Sequence, residues 1–366
     1  MPGQKRYRAA AIGRTGKGNY GHGLHLAYRG MDRVDFVAVA DADEAGRRKA
    51  AEETGAARAY ADYREMLGAE TPDIVSVCPR WVDCHEEMVL ACVAAGCHVY
   101  CEKPLAASLD SADRMVAAAE VAGVKIAVAH QGVYLPQVHE IKRMLDAGRI
   151  GPVQAIYACG KQDRRGGGED MAVLGTHLFN MMRFFVGDVA WMSAHVTADG
   201  REIGPEDMRE ASEPIGWIAG DCVNSYFAFQ NGASGFFVSR ANQPGNGQSY
   251  GMDIVGRDGR IAMRGGAAGS VAVYPHGLWA PGDASQGWTP VEMAVLPLGE
   301  GNRLAVLDLI RAAEEDREPV SGARAARAAL EMILGAYASQ LTGARVSFPM
   351  VDRTHPLERL RNEGVK

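Results

Sequence analysis

Residues 8–23 read Arg-Ala-Ala-Ala-Ile-Gly-Arg-Thr-Gly-Lys-Gly-Asn-Tyr-Gly-His-Gly, an apolar run followed by a glycine-rich loop. The apolar run indicates a short buried β-strand that ends at Gly13. A dinucleotide fingerprint needs glycines directly after such a strand, where the backbone turns and approaches a pyrophosphate held at a helix N-terminus. The glycines that match this spacing are Gly16, Gly18 and Gly21. A register that starts at Gly13 also fits if Thr15 replaces the middle glycine, so both registers stay open.

The first third of the chain alternates short apolar runs with helical segments. The predicted strands are 8–12, 35–40, 73–78, 97–101 and 125–130, and the predicted helices are 43–54, 82–95 and 108–122. Apolar runs of this length between helices are typical of a parallel sheet that is covered on both faces. Right-handed crossovers then give a doubly wound fold. We therefore expect residues 1–130 to form an α/β Rossmann domain.

Strand patterns dominate after residue 130. The predicted helices are 136–147, 175–186, 301–316 and 321–341, and the predicted strands are 189–197, 222–230, 233–240, 250–256, 259–264 and 270–275. Asn231-Gly232 predicts a tight hairpin, and Asp258-Gly259 is a weaker signal of the same kind. We expect residues 131–350 to form an α+β domain with an open-faced, mostly antiparallel sheet, followed by a polar tail at 351–366. The irregular loop 199–216 is a candidate lid or oligomer contact.

Composition narrows the class of partner. The chain has 366 residues and a net charge of −6, which disfavours nucleic acid and anionic membranes as partners. No apolar run approaches the length of a membrane span, and the first residues are too polar for a secretory signal, so we expect a cytoplasmic protein. The seven cysteines follow no usual zinc-ligand spacing. We expect buried, reduced thiols and no metal site.

Asp41 stands at the end of the second predicted strand. A carboxylate at this position accepts hydrogen bonds from the hydroxyls of the adenosine ribose and repels a 2′-phosphate. Asp41 therefore favours NAD over NADP as the cofactor. Arg47, Arg48 and Lys49 follow nearby and leave NADP as the alternative, although we expect them to form a solvated helix face.

Two residues are candidates for proton transfer. Lys103, in Glu102-Lys103-Pro104, ends the fourth predicted strand, and ligands of open α/β sheets bind at the carboxyl ends of the strands. Taking a hydride from a secondary alcohol requires a group that accepts the hydroxyl proton, and the positive nicotinamide ring of NAD+ favours the neutral lysine amine. His177 is predicted to begin the helix 175–186, and a helix N-terminus disfavours the imidazolium.

These segments together resemble the glucose–fructose oxidoreductase/inositol dehydrogenase (Gfo/Idh/MocA) family over nearly the whole chain. The matching features are the glycine loop, Asp41, Cys78-Pro79, His85, Glu102-Lys103-Pro104, residues 148–153, Gly166-Gly167-Gly168, Gly175-Thr176-His177 and residues 317–320. The resemblance implies that Lys103 transfers the proton, that Glu102 binds the nicotinamide ribose and that His177 contacts the reacting hydroxyl. The predicted cofactor-binding residues are Gly13, Arg14, Thr15, Gly16, Gly18, Asp41, Cys78, Pro79, His85, Glu102 and Lys103.

Two positions depart from the family pattern around His177. Many family dehydrogenases carry an aspartate four residues before this histidine, where this chain has Val173, and a second one three residues after it, where this chain has Asn180. Either Lys103 and His177 suffice for proton transfer, or Asp170, beside Glu169, substitutes for the missing carboxylate. The candidate substrate-binding residues are Lys103, Tyr134, Arg164, Asp170 and His177, with Arg165 beside Arg164.

The resemblance implies an NAD-dependent oxidoreductase that moves hydride between a secondary hydroxyl of a sugar, glycoside or cyclitol and nicotinamide. Two alternatives stay open: a redox-neutral enzyme that retains NAD and cleaves a glycoside through a transient keto-sugar, and a non-catalytic NAD-binding sensor. Residues 227–229 and 235–238 carry apolar side chains at adjacent positions, and few helices are available to cover both sheet faces. We therefore expect a homodimer or homotetramer joined through the sheet of residues 189–275, as family members commonly form.

Overall fold

The computed structural model describes residues 5–244, 249–277 and 287–364. Contacts within the chain divide it into two compact units. The first unit comprises Met1–Gln131, Glu213–Gly216 and Gly299–Arg327, and the second comprises Gly132–Ser212, Trp217–Leu298 and Ala328–Lys366. This division differs from the predicted second domain of residues 131–350, because two later segments of the chain pack with the first unit.

The first unit alternates strands and helices from its start. Its strands are β1 (Tyr7–Ile12), β2 (Val34–Ala40), β3 (Arg58–Tyr60), β4 (Ile74–Val77), β5 (His98–Cys101) and β6 (Ile126–Val128), with helices α1 (Glu44–Thr54), α2 (Tyr63–Glu70), α3 (His85–Ala94) and α4 (Leu109–Ala122) between them. The strands pair in parallel in the order β3-β2-β1-β4-β5-β6. This order is that of dinucleotide-binding sheets, so the predicted Rossmann fold is confirmed. The short elements β3 and α2 were not predicted.

The connection from β1 to β2 contains no α-helix. Residues 13–33 form turns and one three-residue 3-10 helix, Leu24–Leu26. Four glycines between residues 16 and 23 have positive φ angles, which end helical geometry at each position. They are Gly16 (83°), Gly18 (87°), Gly21 (59°) and Gly23 (79°). The expectation that an α-helix N-terminus follows the glycine loop and holds the phosphates is therefore wrong for this chain.

The second unit is built around one large sheet. Its elements before residue 299 are α5 (Pro136–Asp146), β7 (Val153–Cys159), α6 (Gly168–Asp170), α7 (Thr176–Val186), β8 (Val189–Ala198), β9 (Arg201–Glu202), β10 (Arg209–Glu210), β11 (Trp217–Ile218), β12 (Cys222–Phe229), β13 (Ser234–Arg240), β14 (Gly251–Gly256), β15 (Arg260–Arg264), β16 (Ser270–Tyr274) and β17 (Thr289–Pro290). The chain ends with α8 (Glu300–Glu314), α9 (Ala323–Thr342), β18 (Val346–Ser347) and α10 (Pro356–Gly364).

The large sheet is mostly antiparallel, as predicted. Its order is β17-β16-β15-β14-β7-β13-β12-β8-β18, with β9 paired to β8. The exception is the parallel pair β13–β7, and β7 itself was not predicted. The predicted hairpins at Asn231-Gly232 and Asp258-Gly259 are confirmed, since they join the antiparallel pairs β12–β13 and β14–β15.

Burial alternates along β12 and β13. Phe227 and Phe237 are fully buried, and both rings pack edge-on against Phe179 of α7, with ring centroids 5.4 and 4.9 Å apart. Tyr226 and Phe236 occupy the opposite face and are half-buried. The expected lack of alternation is therefore wrong, because the outward positions are apolar while still obeying the two-residue period of a strand.

Two segments near the C-terminus differ from the predicted domain boundaries. Helix α8 packs against β5 and β6, and the buried Tyr100 hydroxyl on β5 donates to Asn302 Oδ1 of α8 at 2.7 Å. Residues 299–327 therefore belong to the first unit. The predicted polar tail instead forms α10, whose Leu357 is fully buried in the second unit.

The seven cysteines are free thiols, as predicted. Six of them are buried, and Cys159 is half-buried. Among the described residues, no helix combines the length and the apolar character that a membrane span requires.

Candidate functional site

The glycine loop lies against the carboxyl ends of β4 and β5. A Cβ at Gly18 would overlap the backbone nitrogen of Arg80, and a Cβ at Gly21 would overlap the carbonyl of Cys78 and the side chain of Glu102. These two glycines let the loop approach the first unit's own strand ends. Gly16 has no neighbour within 4 Å of a Cβ position, and its backbone nitrogen donates to Asn19 Oδ1 at 3.0 Å within the loop.

Asp41, directly after β2, is held by the same loop. Thr15 donates to Asp41 Oδ2 from its backbone nitrogen at 3.0 Å and from its hydroxyl at 2.7 Å, and the backbone nitrogen of Asp43 donates to Asp41 Oδ1 at 3.0 Å. Asp41 is only 3% exposed. The structure thus brings together Thr15 and Asp41, both predicted to bind the cofactor.

A cavity of about 300 Å³ opens beside Asp41 at the carboxyl ends of β1 and β2. Ligands of doubly wound sheets bind at this edge, and the volume is at the lower end of the range for ligand pockets. The lining residues include Gly13, Arg14, Asp41, Tyr63, Arg64 and Met88. The cavity is therefore the best candidate in the first unit for the adenosine end of a dinucleotide.

The basic residues after Asp41 do not share one role. The Arg47 guanidinium donates to the backbone carbonyls of Asp41 at 2.6 Å and Ala42 at 3.3 Å, so it is fixed beside the cavity rather than solvated as predicted. Arg48 is exposed and pairs with Glu44 one helical turn away. Arg47 is therefore held at the backbone of Asp41 and Ala42, whereas Arg14 and Arg64 are the arginines that line the cavity.

Glu102 and Lys103 follow β5 and are both buried, with 0% and 4% of their surface exposed. The backbone nitrogen of His22 donates to Glu102 Oε1 at 2.9 Å, His22 Nδ1 contacts the same oxygen, and the backbone nitrogen of Lys103 donates to Glu102 Oε2 at 2.8 Å. Burial opposes the charged form of Glu102, but the hydrogen bonds from His22 outweigh it and lower the pKa of this carboxyl. Sequence reasoning missed His22, because nothing local indicates that the loop reaches β5.

His85 joins the two loops that carry these residues. Its Nε2 contacts the carbonyl oxygen of Pro79 at 2.7 Å, and its Nδ1 contacts that of Pro104 at 2.9 Å. The side chain has no exposed surface. His85 therefore holds the segments after β4 and β5 together, and its predicted contact with the cofactor stays a prediction.

Cys78 and Arg14 also act within the protein. The Cys78 side chain is fully buried, burial raises the pKa of its thiol, and its backbone nitrogen donates to the carbonyl of Ile12 at 3.0 Å. Only its backbone can face a ligand. Arg14 Nη1 donates to Asp83 Oδ1 at 3.0 Å and thereby joins the glycine loop to the segment after β4.

Part of the predicted lid loop lies on that same segment. Residues 213–216 group with the first unit, where the backbone nitrogen of Val82 donates to the carbonyl of Pro214 at 3.1 Å. Arg80 and Glu213 form an ion pair at 3.9 Å. The loop 199–216 therefore contributes directly to the surroundings of the segment that follows β4.

In the second unit, His177 does not begin a helix. Residues Gly168–Asp170 are α-helical, Met171–Gly175 form a π-helix, and α7 follows without a break. His177 thus lies nine residues inside a helical run, and the expected effect of a free helix N-terminus is wrong. A π-helical turn is rare and often marks a functional site.

Asp170 is entirely buried at the start of this run. Its Oδ2 accepts the Ser239 hydroxyl at 2.5 Å and the backbone nitrogen of Gln162 at 3.0 Å. Burial raises the pKa of the carboxyl above its usual value. Asp170 therefore fixes the segment after β7 in this conformation, and its predicted catalytic and substrate-binding roles stay predictions.

The remaining predicted substrate residues differ in exposure. Tyr134 is 5% exposed and packs inside the second unit, and its predicted contact with the substrate stays a prediction. Arg164 is exposed, and Arg165 instead pairs with Asp163 at 2.8 Å. Val173 and Asn180 are buried at 2% and 3% exposure.

The residues fall into two groups. The first unit brings together the glycine loop, Asp41, Glu102 and Lys103, whereas His177 belongs to the second unit. Among the residues that the structure describes, no three His, Cys, Asp or Glu side chains lie close enough to hold a metal ion. The donor set of the first unit is suited to a polyhydroxylated, negatively charged nucleotide ligand.

Two family models match this chain. Residues 8–130 match the model described as an oxidoreductase family with an NAD-binding Rossmann fold. Residues 138–262 match the model of the GFO/IDH/MocA C-terminal domain. The first match covers the strands of the Rossmann sheet, and the second runs from α5 into β15 of the large sheet.

Three individual relatives have sequence identities between 19% and 33% to this chain. The D-apiose dehydrogenase of Paraburkholderia graminis is 33% identical over 214 residues, which are 56% of each protein, so the chain spans about half the length of this relative. The myo-inositol 2-dehydrogenase of Thermotoga maritima is 27% identical over 262 residues, 68% of this chain and 74% of that protein. A solved levoglucosan dehydrogenase in complex with NADH and L-sorbose has a TM-score of 0.79 at 19% identity, covering 95% of this chain and 100% of that one. This last similarity shows a shared fold.

Proposed function

The chain belongs to the Gfo/Idh/MocA oxidoreductase family, and we propose that it is an NAD-dependent oxidoreductase acting on a secondary hydroxyl of a sugar, glycoside or cyclitol. The observation that carries the proposal is Lys103, 4% exposed at the carboxyl end of β5 and adjacent to the buried Glu102. Lysine is almost never buried unless it is paired or functional. Its position at the ligand-binding edge of the sheet supports the functional interpretation.

The residues of the first unit fit NAD. The cavity beside Asp41 suits an adenosine, the free space around Gly16 leaves room for a phosphate beside the loop, and the Glu102 carboxylate suits a ribose hydroxyl. Bound NAD supplies a hydride acceptor. We assign the ribose of the adenosine to Asp41 and the ribose of the nicotinamide to Glu102, whose low pKa keeps it an acceptor at neutral pH.

Proton transfer falls to two side chains. We assign Lys103 Nζ to accept the proton from the substrate hydroxyl as the hydride leaves the carbon. The His177 imidazole, half-buried on α7, holds the hydroxyl by a hydrogen bond and passes the proton on. Asp170 keeps the helical run of His177 attached to Ser239 and Gln162 and takes no proton in this assignment.

The substrate class rests on the relatives. Their names give D-apiose, myo-inositol and levoglucosan as substrates or ligands, all of them polyhydroxylated rings. The test is a panel of such compounds, beginning with these three, incubated with the protein and NAD+ while NADH and product masses are followed. Formation of NADH with an oxidised product supports the proposal, and the Lys103→Ala protein is the matched negative control.

The same assay separates the alternatives. A cleaved glycoside without accumulation of NADH identifies the redox-neutral enzyme. Tight binding of NAD with no product from any compound identifies the sensor. Either result would replace the proposed dehydrogenase.

We also propose that the outer face of the large sheet joins copies of this chain. The Tyr157 and Phe236 rings stack on this face with centroids 4.7 Å apart and planes 4° apart. Tyr157 is 38% exposed and Val238 is 41% exposed, so apolar surface remains uncovered across neighbouring strands β7 and β13. Burial of such a surface against a second copy across a twofold axis is the usual solution. The interface extends the predicted span 189–275 to include β7.

A further inference from the structure

We propose that Thr15 is a specificity-determining residue that weakens the preference of Asp41 for NAD over NADP. Thr15 takes the middle position of the glycine fingerprint when the register starts at Gly13. A glycine there would leave the carboxylate of Asp41 free of any side-chain donor. This inference rests on the proposed function, because it presupposes that the cavity beside Asp41 receives the adenosine of a dinucleotide.

Thr15 uses most of the hydrogen-bonding capacity of Asp41. Oδ2 accepts both the hydroxyl of Thr15 at 2.7 Å and its backbone nitrogen at 3.0 Å. Oδ1 accepts the backbone nitrogen of Asp43 at 3.0 Å and lies 3.2 Å from that of Thr15. A carboxylate has about four acceptor sites. The two ribose hydroxyls that this aspartate is expected to bind therefore compete with the Thr15 hydroxyl.

Helix α1 is shaped to admit Thr15. A Cβ at Gly46 would overlap both Oγ1 and Cβ of Thr15. Gly46 stands at the third position of α1, where glycine costs about 1 kcal/mol relative to alanine. The lack of a side chain at Gly46 provides the space that the threonine fills, which is a second observation that this contact is built into the fold.

Arg47 adds a positive charge at the same place. Its guanidinium is held by the carbonyls of Asp41 and Ala42, beside the capped carboxylate. A 2′-phosphate approaching Asp41 would therefore meet a carboxylate whose charge is partly satisfied and a fixed guanidinium nearby. Both effects reduce the repulsion that normally excludes NADP.

Removal of the Thr15 hydroxyl should increase the preference for NAD over NADP. In Thr15→Val the shape is kept, but Asp41 Oδ2 loses a donor and becomes available to a ribose hydroxyl. The uncapped carboxylate also repels a 2′-phosphate more strongly. We expect the ratio of the NADP and NAD dissociation constants to rise about five- to tenfold, the scale of one ordinary hydrogen bond.

The experiment is calorimetric titration of NAD and NADP into the unaltered protein and five variants, which are Thr15→Val, Thr15→Ser, Gly46→Ala, Asp41→Asn and the double variant Asp41→Asn/Thr15→Val. Thr15→Ser keeps the hydroxyl and is expected to leave the ratio unchanged. Gly46→Ala displaces the threonine from α1 and is expected to raise the ratio, as Thr15→Val does. In an Asp41→Asn background, Thr15→Val is expected to have no effect on the ratio, because the capped charge is already absent.

The outcomes separate this inference from the proposed function. If neither cofactor binds the unaltered protein, the proposed function fails. If NAD binds but Thr15→Val leaves the ratio unchanged, or changes it equally in the Asp41→Asn background, the role of Thr15 is overturned. Thermal midpoints identify any variant that does not fold, and Gly46→Ala then decides the question in place of Thr15→Val: an unchanged ratio there also overturns the role of Thr15.

Discussion

His22 lies eighty residues before Glu102 in the chain, yet two of its nitrogen atoms contact one carboxylate oxygen of Glu102. Both the backbone nitrogen and the ring nitrogen Nδ1 of His22 meet Glu102 Oε1. The carbonyl of His22 in turn accepts from Asn302 Nδ2 at 3.1 Å. This network attaches the glycine loop to the end of β5 and fixes the carboxylate that we assign to the nicotinamide ribose.

The first prediction concerns that attachment. His22→Ala removes the ring contact to Glu102 and leaves the backbone contact, so the carboxylate becomes less well oriented. We expect NAD to bind about tenfold more weakly, since a hydrogen bond to a charged group contributes about 1.5–3 kcal/mol. Calorimetric titration measures the dissociation constant, and kcat at saturating NAD should stay within a few-fold. Unchanged NAD affinity in His22→Ala would contradict the positioning role.

The second prediction concerns the proposed proton acceptor. Lys103→Ala should lower kcat by about 10²–10⁴-fold, the usual contribution of a positioned proton-transfer group. NAD affinity should change much less, because the assigned cofactor contacts come from Asp41 and Glu102. Steady-state kinetics on the substrate identified from the panel, together with titration of NAD, measure both quantities. His177→Ala should act in the same direction with a smaller loss. Near-full turnover in Lys103→Ala would refute the assigned mechanism.

The third prediction concerns Asp170. Asp170→Asn can keep an oxygen towards Ser239 and Gln162, and it removes a buried charge whose pKa is raised by burial. We expect the thermal midpoint to be kept or raised and kcat to fall by far less than the 10²-fold typical of a proton-transfer group. A large loss of kcat with an unchanged thermal midpoint would instead make Asp170 the substitute for the missing aspartate.

The fourth prediction concerns assembly. Val238→Asp places a charge on the outer sheet face, where Val238 is 41% exposed beside the stacked rings. We expect light scattering to give an oligomer for the unaltered protein and a mass nearer to one chain for the variant, because a buried unpaired charge is costly. Val121→Asp, at a 91% exposed position on α4, is the matched control and should remain oligomeric. A monomeric unaltered protein would exclude the interface.

The fifth prediction concerns stability in acid. Burial lowers the pKa of His355 to about 4, and its Nδ1 accepts the backbone nitrogen of Leu357 at 3.2 Å. Because the unfolded chain binds the proton more readily, this histidine contributes its stability above pH 6.5 and loses it as the pH falls towards 4. The loss amounts to about 3–3.5 kcal/mol, at about 1.4 kcal/mol for each pH unit between 6.5 and 4. Urea unfolding at several pH values should show that the free energy of unfolding falls less steeply with decreasing pH in His355→Gln than in the unaltered protein. Equal slopes in the two proteins would contradict this prediction.

Much of the fold was predictable because its signals are local. A run of apolar residues that stops at a glycine or aspartate defines β1 and β2, and Asn231-Gly232 defines a hairpin whatever its surroundings. The motif Glu102-Lys103-Pro104 likewise indicated its own location at a strand end. The π-helical turn before His177 left no such signal, because the residues Met171–Gly175 have ordinary helical composition.

The sequence by itself determined the alternation of strands and helices in the first unit, the glycine loop, the acidic end of β2 and the family. The tertiary structure alone decided that His22 meets Glu102, that Asn302 packs with the first unit, that Thr15 caps Asp41 and that Asp170 is buried against Ser239. The physical reason is the distance along the chain over which each effect acts. Strand and helix periodicity acts over a few residues, whereas burial and pairing of a polar side chain depend on which distant segments the packed sheets bring against it.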